Sequence, residues 1–168
     1  MGLTALGAAA VRRMNRLGVI VDVAHCTKDT VKGVARVATR AFLCSHANLT
    51  EPGHPEGGPP RSIGADYARM VAESGGVIGA FIAPLRGEGL PGMIRQVFRL
   101  IDAISIDHAG IGTDLPVSVG GAQLTDFARH PEIARGLRDG GLTAEEVAKV
   151  CAGNWLRVFR AVRGTGAA

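Results

Sequence analysis

Two histidines and one aspartate in this sequence lie at the ends of short apolar segments, where their side chains could bind a metal ion. The residues are His25, His46 and Asp114, and each directly follows a run rich in β-branched residues or stands within two positions of its end. Neutral imidazole nitrogens are favoured zinc ligands, and a nearby carboxylate can bind metal, water or substrate. The three residues therefore predict a zinc site, provided that the fold brings these segment ends together.

The β-branched runs before these residues are typical of strands that are buried on both faces of a sheet. We expect four strands, over residues 18–24, 41–44, 76–82 and 109–112. Amphipathic periodicity predicts helices between and after them, over residues 6–17, 28–38, 65–74 and 92–104, with a helical set over 127–162. Alternating strands and helices indicate an α/β fold with parallel strands, either a doubly wound sheet or a (β/α) barrel. In both folds the carboxyl ends of the strands share one edge, which would bring His25, His46 and Asp114 together.

Length and composition exclude several classes of protein. The 168 residues correspond to one domain over residues 1–168, and 46% hydrophobic with 20% charged residues is a globular composition. The net charge of +4 comes mainly from dispersed arginines, and aromatic residues are only 4%, so we expect no nucleic-acid partner. No apolar run approaches the roughly 20 residues of a membrane span, and the sequence starts without a secretory signal. Three cysteines without CxxC spacing fit a reducing compartment, and we expect a cytoplasmic protein that does not contact a membrane.

Three further features carry weaker expectations. Arg61 closes a loop rich in Gly and Pro near the predicted site, where its guanidinium could bind a substrate carboxylate. Cys26 stands at a predicted helix start, so an unrelated doubly wound domain with a cysteine nucleophile is one alternative. The apolar residues of the last helix, Trp155, Leu156 and Phe159, are expected to pack against the barrel wall.

Several motifs in order along the chain resemble one family, the membrane (renal) dipeptidases. His25 and His46 are 21 positions apart, which agrees with the family pattern. The motifs that carry the resemblance are Met14-Asn15-Arg16-Leu17-Gly18, Asp22-Val23-Ala24-His25, Ser45-His46, Gly75-Gly76-Val77-Ile78-Gly79, Gly110-Ile111-Gly112-Thr113-Asp114 and Gly153-Asn154-Trp155-Leu156-Arg157-Val158-Phe159.

The resemblance implies a (β/α)8 TIM barrel of the metal-dependent hydrolase type that hydrolyses dipeptides, or small amides in bacterial members, with two zinc ions. By that resemblance His25 and His46 are ligands of the second zinc. Arg61 would hold the C-terminal carboxylate of the substrate, and Asp114 would bind substrate and assist proton transfer.

The sequence departs from the family in the ligands of the first zinc. The family supplies a His-x-Asp pair on its first strand and a bridging Glu on a middle strand, and none of the five histidines here has Asp two positions on. A complete barrel has eight strands and about 250 residues. We therefore expect the second half of a barrel, about four βα units, with little activity until a second copy or a missing N-terminal half completes it. The alternative is a non-catalytic remnant that acts as an interaction module or as a subunit of a split hydrolase.

Overall fold

Parallel strands form the centre of the fold, in a computed structural model that describes residues 2–50, 62–82, 89–114 and 126–164. Strand β1 (Cys44–Leu49) pairs with β2 (Ser62–Ile63) on one side and with β3 (Ile78–Ala80) on the other. Strand β4 (Ala109–Ile111) pairs with β3, so the order is β2-β1-β3-β4. All three pairings are parallel, which confirms the predicted α/β class.

Three strand predictions were wrong in extent. Over residues 76–82, only Ile78–Ala80 forms a strand. Residues 18–24 do not form a strand and contribute one isolated parallel bridge, from Asp22 to Leu43. The second strand begins only at Cys44, and it continues to Leu49, into the segment that we expected to be a loop. Strand β2 was not predicted, because a strand of two residues has no hydrophobic period. The end of the 18–24 segment nevertheless lies beside β1, since the Val23 N–H donates to the Leu43 carbonyl over 2.8 Å.

The helices follow their predicted positions closely because their end signals are local. Thr4 accepts the Gly7 N–H over 3.1 Å at the start of the first helix, and Gly18 ends that helix with φ 67°. Thr143 and Glu146 form a capping box, in which each side chain accepts the backbone N–H of the other residue. The helices are α1 (Ala5–Leu17), α2 (Lys28–Val37), α3 (Ala65–Glu73), α4 (Gly89–Ile104), α5 (His130–Asp139), α6 (Ala144–Ala148) and α7 (Asn154–Arg163). Short 3₁₀ segments cover Ile106–His108 and Phe127–Arg129, and a π-helical turn covers Lys149–Gly153.

The main core lies between the sheet and helices α2 to α4. Its fully buried side chains include Val31, Val71, Ile78, Val97 and Leu100. The apolar contacts with the helices are made by the sides of the strands, so polar residues can lie at the strand ends. Of the helices in the described residues, none combines the length and the apolar character that crossing a membrane requires.

The packing predicted for the last helix was wrong. Helix α7 buries Val158 and Val162 against Leu43 and Val77, whereas Trp155 is 47% exposed. Leu156 and Phe159 are also exposed, at 38% and 37%. The valines lie four positions apart and form the buried stripe of the helix. The larger residues therefore line an apolar surface and not the core.

Strand β1 contains an irregularity beside the predicted site. Cys44 pairs with Ile78 and Ala47 pairs with Ala80, so three steps along β1 match two steps along β3. The extra residue of such a β-bulge bends a strand and changes the direction of its side chains. Here the irregular segment contains Ser45 and His46.

Candidate metal site

The structure brings the two predicted histidines into contact. The Nε2 atoms of His25 and His46 are 3.0 Å apart, and the two rings meet edge to face with centroids separated by 4.6 Å. We call these two residues the histidine pair. His25 is exposed, whereas only 12% of the His46 side chain is exposed. The pair thus presents two ring nitrogens to one point at the edge of the site.

His25 reaches this position through a tight turn with an unusual backbone conformation. The Cys26 N–H donates to the Val23 carbonyl over 3.0 Å, and His25, the third residue of that turn, has φ 65°. A positive φ at the third position but not at the second is typical of a type II turn and favours glycine, so a histidine there costs conformational energy. The buried Tyr67 hydroxyl also donates to the Val23 carbonyl, over 2.6 Å, and ties the turn to α3.

His46 is oriented by the residue that precedes it. The Ser45 Oγ lies 3.0 Å from the Nδ1 of His46, so one ring nitrogen has a hydrogen-bond partner and the other faces His25. The Phe81 ring packs beside the imidazole, with centroids 5.5 Å apart. A histidine held through one nitrogen is ready to bind a metal through the other.

Asp114 lies at the same edge, as the sequence predicted. Its Oδ2 is 3.6 Å from the His46 Nε2, and 35% of its side chain is exposed. Asp114 has φ 57°, so two of the three described non-glycine residues with positive φ belong to this site. Strained backbone conformations concentrate at functional sites, where the surrounding structure holds them.

Arg61, the predicted substrate-binding residue, lies outside the described residues. A cavity of about 430 Å³ adjoins the histidine pair on the side of β2. Its volume is within the range of small-molecule sites, roughly 300–1,000 Å³. The lining includes Cys26, Ser62 and Tyr67 as well as the pair itself.

The cysteines near the site do not favour the alternative with a cysteine nucleophile. Burial and the neighbouring Asp22 charge raise the pKa of Cys26 above its ordinary value. The same two causes raise the pKa of Cys44 to about 12. A nucleophilic cysteine needs a lowered pKa, so these thiols remain protonated near neutral pH.

The histidine pair fits a metal ion such as zinc as two of its ligands. Zinc takes imidazole nitrogens at about 2.0–2.1 Å in tetrahedral geometry, which places two such nitrogens about 3.3 Å apart. The observed 3.0 Å separation needs only a small adjustment. No group of three or more His, Cys, Asp or Glu side chains arranged for a metal occurs in the described residues. The pair therefore offers two ligands, and further ligands must be added to them.

Sequence reasoning missed Asp22, which links the two histidine segments. Its Oδ1 accepts the Ala24 N–H over 2.9 Å and the Ser45 N–H over 3.0 Å. Aspartate side chains often accept the backbone N–H two residues further along the chain, so the bond to Ala24 has a local signal in the sequence. The long-range bond to Ser45 has no such local signal.

Comparison with known protein families gives one match over the whole chain. The sequence profile described as membrane dipeptidase (peptidase family M19) matches residues 1–168. A dipeptidase of Aspergillus oryzae is 27% identical over 94% of this chain and 38% of its own length. An uncharacterised protein of Klebsiella pneumoniae is 29% identical over 96% of this chain and 61% of its own length. The chain thus spans about half the length of these relatives.

Solved structures agree with this match. A metallopeptidase of Rhodobacter sphaeroides, crystallised with a phosphinate mimic of the dipeptide L-Ala-D-Ala, superposes with a TM-score of 0.81 at 26% identity. The match covers 96% of this chain and 47% of that one. Another solved structure, a dipeptidase described as a metallopeptidase of family M19, gives a TM-score of 0.80 at 26% identity, over 97% of this chain and 50% of its own. The resemblance seen in the sequence motifs and the α/β class are both confirmed.

Proposed function

Because the chain belongs to the membrane dipeptidase family, peptidase family M19, we propose that it supplies one half of the active site of a metal-dependent dipeptidase. The observation that carries this proposal is the convergence of the His25 and His46 Nε2 atoms to 3.0 Å, with Asp114 beside them. The substrate class is a dipeptide or a small amide of similar size.

In this proposal the two imidazoles hold one zinc ion through Nε2. When bound, zinc lowers the pKa of a coordinated water and polarises a carbonyl. Ser45 keeps the His46 ring turned by engaging Nδ1 over 3.0 Å. The Asp114 carboxylate, part-exposed and 3.6 Å from His46, would take a proton from the attacking water and deliver it to the leaving amine. Arg61 would bind the carboxylate of the substrate.

We further propose that another chain segment completes the site, either an N-terminal half or a second copy of this chain. The sequence contains no His-x-Asp pair, so the ligands of a first zinc must come from elsewhere. The exposed Trp155, Leu156 and Phe159 support this proposal, because a complementary half-barrel would remove them from water. Residues 1–168 would then form the C-terminal half of one barrel domain.

The test is turnover of dipeptides such as L-Ala-D-Ala by the purified chain, with and without added zinc, beside its metal content. The proposal expects one weakly bound zinc per chain and negligible turnover, because two imidazoles without a bridging carboxylate hold zinc weakly. Two zinc ions per chain with ordinary dipeptidase turnover would contradict the need for a complementary half. An interaction module without a metal site would bind no zinc at all.

A further inference from the structure

One carboxylate oxygen connects the two turns that carry the histidine pair. The Asp22 Oδ1 accepts the N–H of Ala24 over 2.9 Å and the N–H of Ser45 over 3.0 Å. Ala24 directly precedes His25, and Ser45 directly precedes His46. The same oxygen atom therefore anchors the backbone N–H of the residue before each histidine.

We infer that Asp22 is a positioning residue that sets the separation of the histidine pair and prepares it for a metal ion. This inference rests on the proposed function of the pair. Each of the two hydrogen bonds fixes the backbone one peptide away from a ligand side chain, so losing both lets the two Nε2 atoms move independently. A pair that must be brought together on binding loses affinity by the cost of ordering it.

The bond to Ala24 also holds the unusual turn at His25. His25 has φ 65°, a conformation that a non-glycine residue keeps only when neighbouring contacts hold it. The described contacts that hold this turn are the Asp22 carboxylate on Ala24, the Cys26 N–H on the Val23 carbonyl and the Tyr67 hydroxyl on the same carbonyl. Of these three, the Asp22 carboxylate is the contact that also accepts a backbone N–H from within the irregular segment of β1, at Ser45.

The bond to Ser45 acts at the irregular part of β1. Between Cys44 and Ala47 the ladder to β3 is out of step, so the backbone there lacks the regular spacing of a parallel pair. The Asp22 carboxylate supplies a partner for the Ser45 N–H within this segment, and the Ser45 hydroxyl in turn engages His46 Nδ1. Asp22 therefore fixes the Ser45 backbone, and the Ser45 hydroxyl in turn orients the His46 imidazole.

The experiment compares Asp22→Ala and Asp22→Asn with the matched control Asp126→Ala. Asp126 accepts the Ala128 N–H over 2.9 Å, which is the same local geometry as Asp22 with Ala24. It caps the segment Phe127–Arg129 and has no described contact with either histidine of the pair. Amide hydrogen exchange of the metal-free chain reports the two hydrogen bonds directly. Titration with Cu²⁺, followed by electron paramagnetic resonance, reports affinity and the number of bound imidazole nitrogens, since Cu²⁺ binds such sites more tightly than zinc.

For Asp22→Ala we expect faster exchange at both Ala24 and Ser45, a loss of about tenfold or more in Cu²⁺ affinity, and loss of the two-nitrogen signal. Asp22→Asn keeps an acceptor oxygen and should retain most of the protection and most of the affinity. Asp126→Ala should keep the two-nitrogen signal even where its melting temperature falls as far as that of Asp22→Ala.

Unchanged exchange at Ala24 and Ser45 in Asp22→Ala would overturn the inference. Unchanged Cu²⁺ affinity with two bound nitrogens in that variant would overturn it as well, and so would equal losses in the Asp22 and Asp126 variants. If the unmodified chain binds no Cu²⁺ through the pair, the proposed function fails, and amide exchange still decides whether Asp22 fixes the two turns.

Discussion

At the scale of single residues, the site is built from backbone conformations that its side chains do not favour. His25 and Asp114 both have positive φ, at 65° and 57°. A histidine or aspartate in this region costs about 1–3 kcal/mol, which neighbouring contacts must offset. This conformational cost at His25 and Asp114 is consistent with residues whose position serves binding and lowers the stability of the fold.

This cost predicts how substitutions at His25 affect the free energy of unfolding. Glycine adopts a positive φ without a steric penalty, whereas alanine retains the penalty of its Cβ. In the metal-free chain we expect His25→Gly to be more stable than His25→Ala by about 1 kcal/mol, measured by urea denaturation. A more stable alanine variant would show that the turn does not keep its positive φ in solution.

Residue patterns predicted the three site residues His25, His46 and Asp114, because each follows a recognisable apolar segment. They did not predict Asp22, whose bond to Ser45 joins positions 23 residues apart in the sequence. They also did not predict the exposure of Trp155, since a large apolar residue in an amphipathic helix is ordinarily assigned to the core. The role of Asp22 and the exposure of Trp155 both depend on contacts between segments that are distant in the sequence.

At the scale of elements, the irregular segment of β1 lies against two glycines, Gly79 in β3 and Gly112 directly after β4. A Cβ at Gly112 would overlap the Ser45 carbonyl oxygen, and a Cβ at Gly79 would overlap the same atom. These two glycines therefore leave room for the displaced Ser45 peptide and, through it, for the position of His46.

We expect Gly112→Ala to destabilise the chain by about 1–3 kcal/mol, the usual cost of overpacking, and to weaken zinc binding by moving His46. The matched control is Gly153→Ala in the π-helical turn, where the nearest atom to an added Cβ is the Ala148 carbonyl oxygen at 3.4 Å. Thermal unfolding and zinc titration of both variants check the prediction. Equal effects of the two substitutions on zinc binding would contradict it.

The start of α6 provides a test that is independent of the site. Thr143 accepts the Glu146 N–H over 3.3 Å, and the Glu146 carboxylate accepts the Thr143 N–H over 2.8 Å. Replacing an N-cap threonine by alanine costs about 1 kcal/mol. We expect Thr143→Ala to lower the free energy of unfolding by that amount at pH 7, measured by denaturant titration. A change within experimental error would mean that the capping box is not formed in solution.

The same capping box gives a pH dependence with a defined sign. The hydrogen bonds from the Thr143 N–H and hydroxyl lower the pKa of Glu146 below its ordinary value. Its contribution is therefore fully present above the unfolded value of about 4.3 and is lost as the pH falls through the lower folded pKa. We expect the difference in stability between the unmodified chain and Glu146→Gln to shrink below about pH 4, whereas Glu145→Gln serves as the control in the same helical turn. If this stability difference instead grew at low pH, the pKa of Glu146 would be raised and not lowered by folding.

The helix ends were predictable because caps such as Thr4, Gly18 and Thr143 are signals within a few residues. The strands were harder to predict from the sequence. Strand β2 has only two residues, and the start and the irregularity of β1 depend on pairing with distant segments. A hydrophobic run such as 18–24 indicates burial, but only the tertiary packing decides whether it pairs along its length.

At the scale of the whole molecule, the last helix leaves a cluster of apolar side chains exposed. Trp155 and Phe159 stack with ring centroids 5.2 Å apart, and a groove of about 260 Å³ runs from Trp155 to Val77 and Gly110. The chain spans about half the length of its relatives, from 38% to 61%. A complementary half-barrel would bury this surface.

We expect the isolated chain to self-associate through this surface, with weaker association in Trp155→Ser. Phe127→Ser is the matched control, because Phe127 is also an exposed aromatic residue, at 67%, but it is not among the described residues that line this groove. Sedimentation equilibrium over a range of concentrations gives the association constants. Weakening by Phe127→Ser alone would place the contact surface elsewhere.

The central claim is that His25 and His46 together bind one metal ion. Calorimetric titration of zinc into the metal-free chain, into His25→Ala and into His46→Ala tests this claim most directly. We predict one zinc per unmodified chain and a loss of affinity of tenfold or more in each single variant, because each variant removes one of the two nitrogens that lie 3.0 Å apart. Zinc binding that is unchanged in both variants would contradict the account.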